Sequence, residues 1–255
     1  VTNDLGYDAY GNVASEKVTG AGMAARTVAI EWDGRGQLPV RVTDPLGRPY
    51  ACYVLCEVCS TRDDPALRAI LEATLEDAMA AGLVLDAVLA DSLAQRNALW
   101  RLRESVPEAQ RAEGASIKHD VSVPVAALPD FMAAATAAVL AIVPAGRIIA
   151  YGHVGDGNLH FNVCEPAEGD RAAFIAQEPR LQAAVHAVVG RFRGSISAEH
   201  GIGRLKREAL ARHKSAVALE TMRAIKRAID PKGIMNPGKV LLEPRPADPA
   251  EERNG

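Results

Sequence analysis

The sequence predicts an α+β fold, an antiparallel sheet with helices mainly on one face. Three observations carry that expectation. Short alternating or β-branched runs take turns with stretches whose apolar residues recur every three or four positions, in the order β-α-β, α, β-α-β-β-α. Two of those runs, "GRIIAYGHV" and "LHFNVCE", flank "GDGN", which is hairpin punctuation. One helical stretch, "DDPALRAILEATLEDAMAAGL", starts with an Asp-Pro entry signal and ends on glycine. The ferredoxin-like unit is the closest simple architecture.

The elements read in order from residue 49. "YACYVLCEV" (50–58) is β-rich, and "DDPALRAILEATLEDAMAAGL" enters a helix at Asp-Pro and leaves it on glycine. "VLDAVLA" (84–90) reads as a strand, and "DSLAQRNALWRLRESVPEAQRAEG" as a helix broken or bent near Pro107. "SIKHDVSVPV" alternates as a strand does, and "LPDFMAAATAAVLAIVP" is helical. After the hairpin, "RLQAAVHAVVGRFRG" and "KSAVALETMRAIKRAID" are helices, the second followed by "PKGIMNPGKVLL". Residues 243–255 have the composition of a disordered tail.

Residues 1–48 read differently. "YDAYGNVASEKVTG" and "WDGRGQLPVRVTDPLGRPY" are hairpin text that resembles YD/Rhs-type repeats, in which "YDxxGN" and a "VTDPLG" segment recur. Such repeats bury their faces by stacking. The expectation is a hairpin-rich extension at 1–48, either foreign to the rest or an irregular β extension of it, and a second domain at 49–242.

Composition narrows the function. With 48% apolar residues, 24% charged residues and a net charge of −3, there is no basic excess to hold nucleic acid. "FMAAATAAVLAIV" is too short to span a bilayer, and no secretory signal pattern opens the chain. The expectation is a cytoplasmic protein without a transmembrane segment. Cys52, Cys56, Cys59 and Cys164 lack the second pair of a zinc ribbon and are expected as buried or half-buried thiols.

The chemistry gathers in "YGHVGDGNLH" (151–160) and "SAEHGIG" (197–203), which hold three of the six histidines. With Gly155–Asn158 as the hairpin loop, Val154 pairs with Leu159 and His153 falls opposite His160, with Asn162 on the same face. Glu199 and His200 arrive from the second stretch, where glycines 194, 201 and 203 allow close backbone approach. Two imidazoles and a carboxylate with open positions suit Zn²⁺ or a similar divalent ion. Since Glu199 and His200 are adjacent, one can ligate while the other faces the reacting bond. The alternative is histidines that hydrogen-bond within turns.

Five motifs in order, "LWRLRESVPEAQ", "IKHDVSVPV", "GHVGDGNLHFNV", "GSISAEHGIG" and "RAIKRAIDPKGIMNPGKVL", resemble the C-terminal domain of FAD-linked oxidases of the D-2-hydroxyglutarate dehydrogenase, glycolate oxidase and D-lactate dehydrogenase type. The resemblance covers about 49–242. It implies a metal, usually zinc, on His153, His160 and Glu199, with His200 as general base. It implies substrate contacts at Arg103, Lys118 and Asn162, and Asn236 near the flavin. Pro107 stands where some members carry a substrate-binding hydroxyl, so that contact is absent here.

The implied reaction is FAD-dependent oxidation of a D-2-hydroxy acid to the 2-oxo acid, with a D-2-hydroxyglutarate-like substrate favoured. The implied partners are that acid, an electron acceptor and an FAD domain, carried either by a separate chain or by a longer protein of which this is the cap and C-terminal portion. The FAD domain is expected outside this sequence because no stretch here has the glycine-rich pyrophosphate loop in its strand–loop–helix context. The alternatives are an inactive metal-binding fragment, a D-lactate or glycolate dehydrogenase, and a metal-dependent hydrolase using activated water. Against the hydrolase, no H-E-x-x-H helix occurs.

Overall fold

The computed structural model of the chain describes residues 2–7, 13–20, 23–32, 39–42, 50–62 and 64–242. It divides into two compact units, 1–112 and 113–255. The tail expected at 243–255 and most turns of the N-terminal hairpin text lie outside the described residues.

In the first unit, β1 (Thr2–Tyr7), β2 (Val13–Gly20), β3 (Met23–Trp32) and β4 (Pro39–Val42) form an antiparallel meander in sequence order. Two helices come next. α1 (Ala66–Ala80) begins just after Asp64, whose Oδ1 accepts the Ala66 amide, and gives way to Gly82 at φ 71°. α2 (Leu93–Ala112) runs through Pro107 without a break, so the interruption expected there is absent.

The strands expected at 50–58 and 84–90 do not form. Both segments have β-favouring residues, but a strand exists only where a neighbour completes its ladder. Side chains tether the first segment instead: Glu57 accepts from Arg96 Nε and, at 2.8 Å, from Trp100 Nε1, and Tyr50 donates to Asp86 at 3.0 Å. This also corrects the expectation for the thiols. Cys52, Cys56 and Cys59 are exposed because the unpaired segment covers nothing with them, while Cys164 is buried.

The second unit is the α+β layer that the sequence predicts. The central strand is β8 (Asn158–Cys164). β7 (Arg147–His153) pairs antiparallel along one edge, and β5 (Ser116–Ile117) and β6 (Asp120–Ser122) share the other. α3 (Leu128–Leu140) and α5 (Glu178–Arg191) lie on one face. Their Phe131, Ala135, Val139, Leu181, Val185 and Val189 pack with Val121, Phe161 and Val163 of the sheet, all 1% exposed or less. α4 (Arg171–Ile175), α6 (Arg207–His213) and α7 (Ala216–Ile229) complete the described helices. Side chains alternate strictly along β8, so Leu159, Phe161 and Val163 point to the helices, and Asn158, His160 and Asn162 to the other face.

The hairpin register differs from the expected one. His153 pairs with Asn158, and Tyr151 is opposite His160. The turn closes early because Gly157, at φ 72°, returns its amide to the Val154 carbonyl at 3.1 Å. Its own carbonyl meanwhile accepts from Val123. The slip is two residues, so His153 and His160 keep a common face but stand diagonally rather than side by side. Gly157 has no replacement: a Cβ there would lie 2.0 Å from the Val123 carbonyl oxygen. Gly157→Ala is expected to lower stability in denaturant titration by about 3 kcal/mol, combining left-handed strain with overpacking. A loss near zero would mean that the turn re-forms elsewhere.

Candidate metal centre

The sheet face away from the helices carries the site. Asp120 of β6 pairs with His160 of β8, and Tyr151 of β7 flanks His160 on the other side, with ring centroids 5.0 Å apart. Continuing the β5–β8 and β6–β8 register, Lys118 falls level with Asn162 on this face. Lys118 is exposed and Asn162 is buried.

The loop after α5 brings the remaining groups. Ser195 bridges to Ser122 through two backbone hydrogen bonds of 3.0 and 2.8 Å, which lays the next residues along the edge of β6. Gly194 makes that approach possible, since a Cβ there would stand 2.2 Å from the Ser122 carbonyl oxygen. That glycine serves a backbone neighbour, whereas Gly201 and Gly203 hold left-handed turns at φ 73° and 53° with open space around them. Lys206 closes the loop from inside, donating to the Ile196 carbonyl at 3.0 Å and to Ser197 Oγ at 3.3 Å.

The result is a cluster around Glu199. Its Oε1 lies 3.1 Å from His153 Nδ1, and its Oε2 lies 3.4 Å from His160 Nε2. The first contact is a hydrogen bond and the second a close ion-pair approach, made by different oxygens of the one carboxylate. His200 stacks on His160 with centroids 5.7 Å apart, and its side chain is 60% exposed. The donor types, imidazole and carboxylate, are those that suit a divalent ion.

Asp120 is a residue that the sequence does not single out. Its carboxylate is 2% exposed and accepts amides from Ala198, Glu199 and His200. Burial pushes its carboxyl up, but the His200 and Glu199 amides, with His200 and Lys206 nearby, more than reverse this and hold it below the ordinary range. Burial likewise pulls the Lys206 ammonium down, with Asp120 opposing. Among the described residues, the group whose ligand atoms all lie within 4.8 Å of one another is Asp120, His160 and His200; His153, His160 and Glu199 do not meet that spacing together. The one signal in the sequence is alternation: in "IKHDVSV", Asp120 shares a face with Lys118 and Ser122.

Two further residues named by the sequence belong to other elements of the chain. Arg103 is half-buried on α2 of the first unit. Asn236 is exposed in the loop after α7, at φ 49°, where its carbonyl accepts the Lys239 amide at 3.3 Å. Asp230 shapes that loop by accepting the Ile234 and Met235 amides at 3.0 and 2.9 Å.

The fold and site together are those of an α+β domain with histidines and carboxylates gathered on the open face of its sheet. The chain belongs to the family of FAD linked oxidases, C-terminal domain, whose family model matches residues 16–240. Among its relatives is a D-2-hydroxyglutarate dehydrogenase of Stutzerimonas stutzeri (strain A1501), 38% identical over 208 residues, or 82% of this chain and 43% of that protein. Another, from Xanthomonas citri pv. viticola, is 39% identical over 197 residues, covering 77% of this chain and 41% of the relative. A probable mitochondrial D-2-hydroxyglutarate dehydrogenase of Oryza sativa subsp. indica is 39% identical over 193 residues, 76% of this chain and 33% of the relative. The chain thus spans less than half the length of each. Among the described residues, no helix is long and apolar enough to cross a membrane.

Proposed function

We propose that this chain supplies the metal and substrate half of an FAD-dependent dehydrogenase that oxidises a D-2-hydroxy acid to the 2-oxo acid. The observation that supports the reading is that Glu199 contacts both His153 and His160, beside His200. The three would hold a divalent ion, most suitably Zn²⁺, which when bound lowers the pKa of the substrate hydroxyl and fixes one carboxylate oxygen. The FAD implied by the family would supply the hydride acceptor.

This chain's own residues do the rest. His200, next to the ligands yet exposed, is placed to take the hydroxyl proton, a task suited to imidazole near neutral pH. Asn162 and Lys118, on the same strand face, offer a neutral hydrogen-bonding group and a cation to the substrate's carboxylates. Arg103 takes a carboxylate-binding role through the family resemblance, as Asn236 does for the flavin side. A reducing, cytoplasmic setting suits three exposed thiols.

A substrate with a second carboxylate is favoured, because a cation beside a monocarboxylate would be left unpartnered in the closed site. One charge-assisted pair contributes about 1.5–3 kcal/mol, or roughly tenfold to a hundredfold in affinity. Titration calorimetry on the zinc-loaded chain is expected to show D-2-hydroxyglutarate binding at least tenfold more tightly than D-lactate, with Lys118→Met reducing that ratio. Equal affinities, or tighter binding of D-lactate, would overturn the dicarboxylate reading and favour the lactate-type enzyme.

A further inference from the structure

We propose that Asp120 is the positioning residue of this centre: it builds the Glu199–His200 loop through backbone amides and does not ligate the ion. The inference rests on the proposed metal site only for its affinity measurement.

One oxygen of the Asp120 carboxylate, Oδ2, accepts three consecutive amides of a single loop, from Ala198 at 3.1 Å, Glu199 at 2.9 Å and His200 at 2.8 Å. Successive amides converging on one anion form a nest, an arrangement that a loop adopts around a fixed negative charge. Here the charge belongs to a strand and the amides belong to the residues that carry Glu199 and His200. The other oxygen, Oδ1, accepts from Asn158 Nδ2 at 3.3 Å. A carboxylate this buried is tolerated only where such donors replace water. Asp120 therefore sets where Glu199 and His200 emerge, and its strand pairing with His160 sets where that imidazole stands.

The rival role, ligation together with His160 and His200, fits less well. Oδ2 already has three donors. Asp120 faces His160 Nδ1, at 3.8 Å, whereas Glu199 faces Nε2 of the same ring. An ion held on Nε2 of that ring beside Glu199 would lie on the far side of the imidazole from Asp120. A carboxylate behind a ligating histidine is a common way to orient the ring.

Asparagine and alanine separate the two roles. Asp120→Asn keeps an oxygen for the three amides, and its new NH₂ can donate to the Asn158 oxygen, which has no hydrogen-bond partner here. In metal-free protein, amide hydrogen exchange across 196–203 is expected to stay within about threefold of wild type for Asp120→Asn and to rise at least tenfold for Asp120→Ala. Zinc affinity is expected to fall no more than about tenfold in Asp120→Asn and roughly a hundredfold in Asp120→Ala, the scale known for groups supporting metal ligands. The cobalt absorption spectrum of Asp120→Asn should match that of wild type.

If Asp120→Asn loses metal as fully as Glu199→Ala does, or changes the cobalt spectrum, Asp120 is a ligand and the proposal fails. Unchanged exchange in Asp120→Ala also overturns it. Should Asp120→Ala not fold, the Asp120→Asn exchange and spectrum decide alone. Wild-type zinc affinity in Glu199→Ala would instead remove Glu199 from the ligand set, while the exchange comparison would still judge Asp120.

Discussion

Alanine in place of Glu199 is expected to lower zinc affinity about a thousandfold. The expectation comes from where the carboxylate sits, within 3.1 Å of His153 Nδ1 and 3.4 Å of His160 Nε2, so that it joins two imidazoles from different strands. Structural zinc sites bind with roughly 10–16 kcal/mol shared among their ligands, so losing one costs about 4 kcal/mol, or a factor near 10³. Removing both imidazoles, in His153→Ala with His160→Ala, should abolish stoichiometric binding. Competition against a chromophoric chelator at neutral pH measures both, and the wild-type chain should take up close to one ion. Wild-type affinity in the double variant would end the assignment of these ligands. Loss of zinc from the double variant with full retention in Glu199→Ala would move the third ligand to another group.

The second large effect is expected in acid. Behind the sheet, His119 and His186 are 3% and 6% exposed, with ring centroids 6.3 Å apart, and His213 lies 5.6 Å from His186. Burial lowers the His119 pKa to about 4, outweighing the hydrogen bond that its Nδ1 donates to the Phe161 carbonyl at 2.8 Å, which favours the charged ring. Burial does the same for His186, to about 4, helped by the charge that His119, His213, Lys206 and Arg212 can carry.

Both folded values lie below the unfolded value near 6.5, so the unfolded chain binds these protons first as pH falls. Stability is therefore intact above about pH 6.5, declines through the window and has lost the whole contribution below about pH 4. For His119 the loss is about 3 kcal/mol. His186 adds less than that, since part of its shift comes from a neighbour that titrates with it. Denaturant midpoints measured from pH 7.5 to 4.5 in a chelator, which removes metal release from the comparison, should fall steadily below pH 6.5. A flat profile over that range, or an undiminished slope in His186→Leu, would count against the buried neutral pair.

How much of this is legible in the sequence differs from element to element. The β7–β8 hairpin can be read from its alternation and from "GDGN", and so can the helices α3, α5 and α7, whose apolar spacing has a length that only a helix accommodates. The register read from the sequence is off by two residues, yet His153 and His160 still share a face, because side-chain direction repeats every second residue. The segments 50–58 and 84–90 mislead outright: their composition favours strands, but composition cannot supply the neighbour that a ladder requires. The same error misplaces the thiols of Cys52, Cys56 and Cys59.

The sequence by itself determined the family, the α+β class and the candidate donors His153, His160, Glu199 and His200, because residue type and local period are written in the chain. Only the tertiary structure decided which nitrogen of each histidine faces the carboxylate, and that Asp120 stands behind the loop. The reason is physical. Asp120 acts on backbone amides, which every residue but proline possesses, and the 78 positions separating it from Ala198 leave no local pattern in which such a contact could be read.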